Sequence, residues 1–230
     1  MIKEFLTALF FPKFCLNCKK PKGYICQQCF ESIIQVKQQR CFFCKQNSFL
    51  GLTCFKCQRP YRPRLVFSLF KYNNLTSKVV KEIKFRSAYS VLLEFLNLTK
   101  LYYSKELEVF IKLLPKNTAA QPMPLHPQRL KERGFNQSEL IYDNLVKPYN
   151  IDKINGLIRV KYSKPQSYMN TKSQRYHNVK DAFKPTTKKL PDNILLIDDI
   201  LTSGHTMLSS CKTLIKNKVK NVYFFSLIGK

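Results

Sequence analysis

Apolar and polar positions are patterned most clearly in the last third of the chain. Ile194–Ile197 is a run of four apolar residues, the pattern of a parallel strand buried on both faces. Met207, Leu208, Cys211, Leu214 and Ile215 recur at helical spacing within Ser203–Lys216, and Val222–Leu227 returns to a strand pattern. Upstream, Arg64–Tyr72 alternates as a strand. Asn74 is placed to cap a helix that carries Val79, Val80 and Ile83 and ends near Arg86; Leu92, Leu93 and Leu96 continue into a second helix. Three prolines in Gln121–Gln128 exclude helix from that segment. A helix follows Gly134 with Leu140, Ile141, Leu145 and Val146 on one face, and Leu157–Lys161 is a short strand. Strands alternating with helices predict the α/β class, a mostly parallel sheet flanked by helices on both faces. The polar stretch from Tyr162 to Pro185 is long for a loop in such a domain, which suits a lid or a linker.

Before residue 58, cysteine takes over as the organising signal. Eight of the nine cysteines form four C-x-x-C pairs there: Cys15/Cys18, Cys26/Cys29, Cys41/Cys44 and Cys54/Cys57. The two-residue spacing lets a tight turn present two thiolates to one tetrahedral ion. Disulfides are the competing arrangement, and a reducing compartment argues against them. Eight thiolates fill two closed four-cysteine sites, so two structural Zn²⁺ ions are expected, with no open position for a catalytic water. Spacing leaves the pairing open: 15/18 with 26/29 and 41/44 with 54/57, or an interleaved arrangement. The prolines and arginines of Gln58–Pro63 mark a seam. They divide the chain into a zinc-binding module over residues 1–62 and an α/β domain over residues 63–230. Cys211 belongs to the apolar stripe of its helix and reads as core.

Charge changes the picture of partners. Lys and Arg number 40 against 14 Asp and Glu, a formal net charge of +26. Such a field attracts phosphates, whether of nucleotides, nucleic acid or lipid; a lysine-rich compositional bias is the competing explanation. In the cysteine region, basic residues such as Lys13, Lys45, Lys56 and Arg59 are interspersed with Phe14, Tyr24, Phe42, Phe43 and Phe55. Cations with aromatics suit single-stranded DNA, where phosphates meet charge and bases stack on rings. A small module also uses rings as core, and most of these five are assigned to that role, the charges to function. The first fifteen residues hold a short apolar run broken by Pro12, a poor signal peptide, and no segment has the length of a membrane span. A cytoplasmic protein is expected.

The candidate chemistry sits at the end of the apolar run. Asp198 and Asp199 follow it directly, where ligands bind in open α/β sheets. Leu201 then leads into Thr202, Ser203, Gly204, His205 and Thr206, small hydroxyl residues and a glycine that open a helix and leave backbone N–H groups for a phosphate. Carboxylates accept hydrogen bonds from sugar hydroxyls, so the combination suits a ribose 5-phosphate. No G-K-[ST] follows the glycine and no three spaced glycines occur, which excludes a Walker loop and a dinucleotide fingerprint.

ILLIDDILTSGHT (Ile194–Thr206) resembles the signature of type I phosphoribosyltransferases. PMPLHPQRLKERGFNQSEL (Pro122–Leu140) is similar to the P-V-P-L-H-x-x-R-x-x-x-R-G-F-N-Q segment of the ComF/GntX family, whose members carry an N-terminal zinc ribbon. Gln166, Arg175, Asn178 and Phe183 resemble that family's hood, with Met169 in place of a leucine. Lys19 and Lys45 stand where a glycine often follows a knuckle, and His205 where the family has a small residue; this histidine is expected to point to solvent.

The resemblance implies a type I phosphoribosyltransferase fold behind a double zinc ribbon, with phosphoribosyl diphosphate and Mg²⁺ bound. Asp198 and Asp199 would hold the ribose hydroxyls, and the loop from Leu201 through Thr202, Ser203, Gly204 and His205 to Thr206 the 5′-phosphate. Diphosphate contacts would come from Pro124, Leu125, His126 and Arg129 of the proline-rich turn and from Lys161, Lys164, Gln166 and Arg175 of the hood. His126 is equally suited to a structural role. Three functions follow: an accessory of DNA uptake that binds single-stranded DNA and partner proteins of that machinery, a metabolic transferase with an unidentified acceptor, and a sensor of phosphoribosyl diphosphate.

Overall fold

A computed structural model describes residues 13–33, 35–85, 88–162 and 181–230. In chain order the elements are helix α1 (Gln27–Glu31), strand β1 (Leu65–Lys71), helices α2 (Asn74–Phe85) and α3 (Tyr89–Lys112), strand β2 (Thr118–Pro122) and helices α4 (Pro127–Arg133) and α5 (Gln137–Ile141). Strands β3 (Leu157–Arg159), β4 (Phe183–Pro185) and β5 (Asn193–Leu201), helix α6 (His205–Lys216) and strand β6 (Asn221–Gly229) complete the chain. Four strands form one sheet in the order β1-β6-β5-β2, every pairing parallel. β3 and β4 pair antiparallel in a separate ribbon.

Alternation along the strands builds a core on each face of the sheet. Leu195 and Ile197 of β5 point with Phe67, Leu69, Phe225 and Leu227 toward α2 and α3. Ile194 and Leu196 point the other way, with Val66, Val222 and Phe224, onto Met207, Cys211 and Leu214 of α6. Phe67 stacks on Phe110 of α3, ring centroids 4.6 Å apart. Phe30, from the first cysteine region, enters the same side edge-on to Phe70 and Phe95. Each such buried ring contributes roughly 1.5–3 kcal/mol over leaving it in water.

The cysteine region also covers the outer edge of β1. Val36 N–H donates to Leu69 O, the Gln39 side chain to Ser68 O, and Thr53 N–H to Arg64 O. Gly51 lies so close to Val66 O that a side chain there would collide. β2, at the opposite edge, is covered by residues 152–154 through bonds of 2.8 Å in each direction with Ala120.

Some boundaries differ from the sequence expectation for local reasons. Asn73, not Asn74, caps α2: its Oδ1 accepts from Thr76 N–H while Thr76 Oγ accepts from Asn73 N–H. Gln121–Gln128 is not free of helix, because Pro127 opens α4. At the first helical position the missing N–H has no partner to lose and the fixed φ is already helical. β3 stops at Arg159, two residues short of Lys161. β5 runs past Ile197 through both aspartates to Leu201, because β6 continues beside it to Gly229.

Candidate functional site

The eight N-terminal cysteines gather as two sequential sets, which decides the pairing that spacing left open. Cys15, Cys18, Cys26 and Cys29 form one cluster and Cys41, Cys44, Cys54 and Cys57 the other, with all four ligand atoms of each set within 4.8 Å of one another. The first turns of the two are built alike: Cys15 N–H donates to Lys20 O and Lys19 N–H to Cys15 O, as Cys41 N–H does to Gln46 O and Lys45 N–H to Cys41 O. Lys19 and Lys45 take φ of +63° and +64°, the left-handed conformation that glycine adopts without strain. Burial works against ionisation at Cys15, but backbone N–H groups of Cys26, Cys18 and Asn17 outweigh it and hold the thiol down to about 6. Cys41 is likewise held to about 6 by the N–H groups of Cys44, Cys54 and Phe43. Burial and then the neighbouring thiols push Cys57 up to about 12; at Cys29 burial, eased by the Asn17 side chain and reinforced by the other thiols, gives the same value. Four thiolates cannot share such a space without a cation, and the all-sulfur set fits Zn²⁺.

β2 leaves β5 at Ile197, where Met123 N–H makes the last bond to Ile197 O, whereas β6 stays paired to Leu201. One flank of β5 therefore opens at Asp198. The segment after α4 fills it. Gly134 ends α4 at φ +76°, and Asn136 caps α5 by accepting from Ser138 N–H while its own amide donates to Met123 O. Ser138 Oγ then donates to Asp198 Oδ1 at 3.3 Å, beside Asp199 N–H at 2.9 Å. Burial, and next the adjacent Asp199 carboxylate, push Asp198 up to about 7; Lys84 opposes the shift. Lys84 Nζ is 3.5 Å from Asp199 Oδ2.

Beyond the carboxylates, Leu201 is buried, Thr202 exposed, and Gly204 caps α6 in the left-handed region at φ +74°. His205, half-buried, does not simply face solvent: its Nδ1 lies 2.9 Å from Ser203 Oγ. Thr206 is half-buried, and its carbonyl accepts from Ser210 Oγ. The loop thus sets the N-terminal end of a 12-residue helix, where the macrodipole favours an anion, next to two carboxylates.

Cations complete the surroundings. Pro124, Leu125 and His126 are half-buried between β2 and α4, and His126 Nδ1 accepts from Gln128 N–H as the cap of α4. That is the structural role for this histidine. Arg129 lies over the Tyr162 ring at 5.0 Å and pairs with Glu132. Lys161 is exposed. Arg133 and Arg159, which sequence reasoning assigned no role, stand within electrostatic reach of Asp198 and of Arg129. Burial lowers the pKa of both, with Arg129 adding and Asp198 opposing. Arg133 donates to Gln137 Oε1, yet its Nε and Gln137 Nε2 are buried with no hydrogen-bond partner among the described residues. Lys164, Gln166, Met169, Arg175 and Asn178 lie outside the described residues.

No family model matches the chain. It is 27% identical over 219 residues to competence protein ComFC of Bacillus subtilis, covering 91% of this chain and 85% of that one. It is 26% identical to competence protein F of Haemophilus influenzae, covering 95% and 97%, and 25% identical to DNA utilization protein YhgH of Salmonella typhi, covering 94% and 96%. The chain is a relative of these ComF proteins.

The likeness spans the cysteine clusters and the α/β part together. Within this ComF relative, Arg133 had a readable signal: four residues after Arg129 on one short helix, it shares that residue's face. Arg159 and Lys84 had none, since each reaches the aspartates from a distant part of the chain. The expected ring packing holds for Tyr24, Phe42 and Phe43 but not for Phe14 and Phe55, which are 50% and 88% exposed.

Proposed function

We propose that this chain binds phosphoribosyl diphosphate at Asp198–Thr206 and single-stranded DNA on its basic surface, serving DNA utilisation as the names of its relatives describe. The observation that carries the ligand is the meeting of Asp198 and Asp199 with the glycine-capped start of α6 on one side and Arg133, whose buried Nε has no partner among the described residues, on the other. Carboxylates suit sugar hydroxyls, the N-terminal end of a helix suits a 5′-phosphate, and guanidinium groups suit a diphosphate. The two aspartates would also carry the Mg²⁺ that accompanies a diphosphate, and that ion would neutralise leaving charge if transfer occurs. Arg129, Arg133 and Arg159 would share the diphosphate, with Pro124, Leu125, His126, Lys161 and the hood residues around it. The fold belongs, in this reading, to the type I phosphoribosyltransferases, with the cysteine module over residues 1–62 and the binding domain over residues 63–230.

Single-stranded DNA is supported by the net charge of +26 and by exposed Phe14 and Phe55 among Lys13, Lys56 and Arg59. A cytoplasmic setting accords with the run of cysteines; among the described residues no helix is long and apolar enough to cross a membrane. Calorimetric titration with Mg²⁺ and phosphoribosyl diphosphate, on wild type and Asp198→Ala/Asp199→Ala, tests the reading. Wild type binds and the double variant does not; absence of wild-type binding removes it. Diphosphate release on adding candidate acceptors separates an enzyme from a binding protein.

A further inference from the structure

Phe42 lies inside the first knuckle of the second four-cysteine cluster, between Cys41 and Cys44. Its ring reaches across to the loop before α6. A Cβ on Gly204 would fall 2.5 Å from Phe42 Cζ and 2.8 Å from Cε1, so the ring edge rests directly on the glycine backbone. Met207 Cε, 3.4 Å from the same point, closes the contact from the helix side. The ring itself is held from behind, perpendicular to Phe43 at 5.3 Å and under the Lys45 ammonium at 4.5 Å. Arg62 covers Phe43 in turn at 4.0 Å.

The two clusters differ in what they support. Cys15, Cys26 and Cys29 belong to the core under α2 and α3, and Ile25 N–H is tied to Glu94 of α3 at 2.8 Å. Phe42 packs against the opposite core, that of α6. Only a knuckle whose turn is fixed can hold a ring at a defined place, and in an all-sulfur site the ion fixes the turn.

We infer that the second four-cysteine site positions the phosphate loop through the Phe42–Gly204 contact, so that metal in this site, and not in the first, regulates affinity for the phosphoribosyl ligand. This rests on the ligand reading given above. Gly204 sets the direction of the N–H groups that follow it, and displacement of such donors by about 1 Å costs a site much of its affinity. Coupling of this kind is reciprocal: ligand must tighten metal at the second site by the same factor that metal tightens ligand.

Equilibrium competition for zinc between the full, metal-loaded chain and a chromogenic chelator, with and without phosphoribosyl diphosphate, reads that reciprocity. Ligand is expected to shift the chelator midpoint of one zinc equivalent of the two by about tenfold in wild type. Phe42→Ala, retaining both equivalents, shows no shift and binds ligand about tenfold more weakly by calorimetry. Phe42→Leu keeps part of each effect because it keeps bulk against Gly204, and Phe49→Ala, an exposed ring of the same module, keeps all. An equal midpoint shift, or none, for both equivalents in wild type that binds ligand, or undiminished coupling in Phe42→Ala, overturns the inference. Hydrogen exchange at residues 203–208 separates its failure from that of the ligand reading. If wild type binds no ligand, faster exchange there in Phe42→Ala still upholds the mechanical link, and unchanged exchange ends it.

Discussion

Lys84, one residue before the end of α2, stands 3.5 Å from the Asp199 carboxylate. Its ammonium offsets part of the charge that burial concentrates on the two aspartates and opposes the upward shift of Asp198. Lys84→Met is therefore expected to push Asp198 further up and to delay its ionisation. The pH at which ligand affinity is half-maximal should move alkaline by roughly half a unit to one unit. Calorimetric titrations across neutral pH read the shift, and an unmoved midpoint denies Lys84 any share in tuning the site.

Asp198 also sets a stability gradient. Its folded-state pKa, about 7, lies above that of an unfolded aspartate, so the folded state holds the proton more tightly. Stability from this group is full at low pH and is lost as pH rises from about 4 to about 7. Asp198→Asn removes the cost of ionisation. Thermal unfolding should show the variant more stable than wild type by a few degrees near pH 8, with the gap closing near pH 4. A gap of the same size at both would mean that Asp198 is not proton-linked to folding.

The carboxylates, loop and cysteines were legible because each is a contiguous run whose chemistry depends on near neighbours. The Ile194–Ile197 run gave away its central place in the sheet, since apolar residues on both strand faces need cover on both. Cysteine pairing was not legible, because equal spacing permits either arrangement until the turns are placed. Lys84 and Arg159 were hidden for a different reason: nothing local distinguishes them from other cations in a chain with 40 Lys and Arg. Pro127 misled because a proline forbids helix before itself but not after. Phe42 was readable as a packed ring, though not as one packed on Gly204.

Metal content tests the clusters directly. Elemental analysis should find about two zinc ions per chain, and Cys18→Ser or Cys44→Ser should each lower the count by about one. One zinc in wild type would break the assignment of two closed sites. At Lys19, whose φ of +63° favours glycine, Lys19→Gly should raise the melting temperature, the relieved strain being about 1 kcal/mol. A fall would mean that the lysine side chain, not the backbone, decides stability there.

Binding to single-stranded DNA should depend steeply on salt, losing at least tenfold between about 50 and about 200 mM if several phosphates are contacted. Fluorescence anisotropy with a labelled oligothymidylate measures it. Phe55→Ala should weaken binding by about 1–3 kcal/mol if a base stacks on that ring. Asp198→Ala/Asp199→Ala should leave DNA binding intact while abolishing ligand binding. Loss of both together would place them on one surface.

The bonds from Val36, Gln39 and Thr53 to the outer side of β1 have a consequence for solubility. An open parallel sheet presents a row of unsatisfied groups along its border, ready to recruit the same border of another molecule. Here that border is occupied by a segment that includes cysteines of the second cluster, and its shape is expected to depend on metal. Zinc starvation would then do more than silence a site: it would uncover a template for self-association, and the apoprotein should accumulate as aggregates instead of as an inactive monomer.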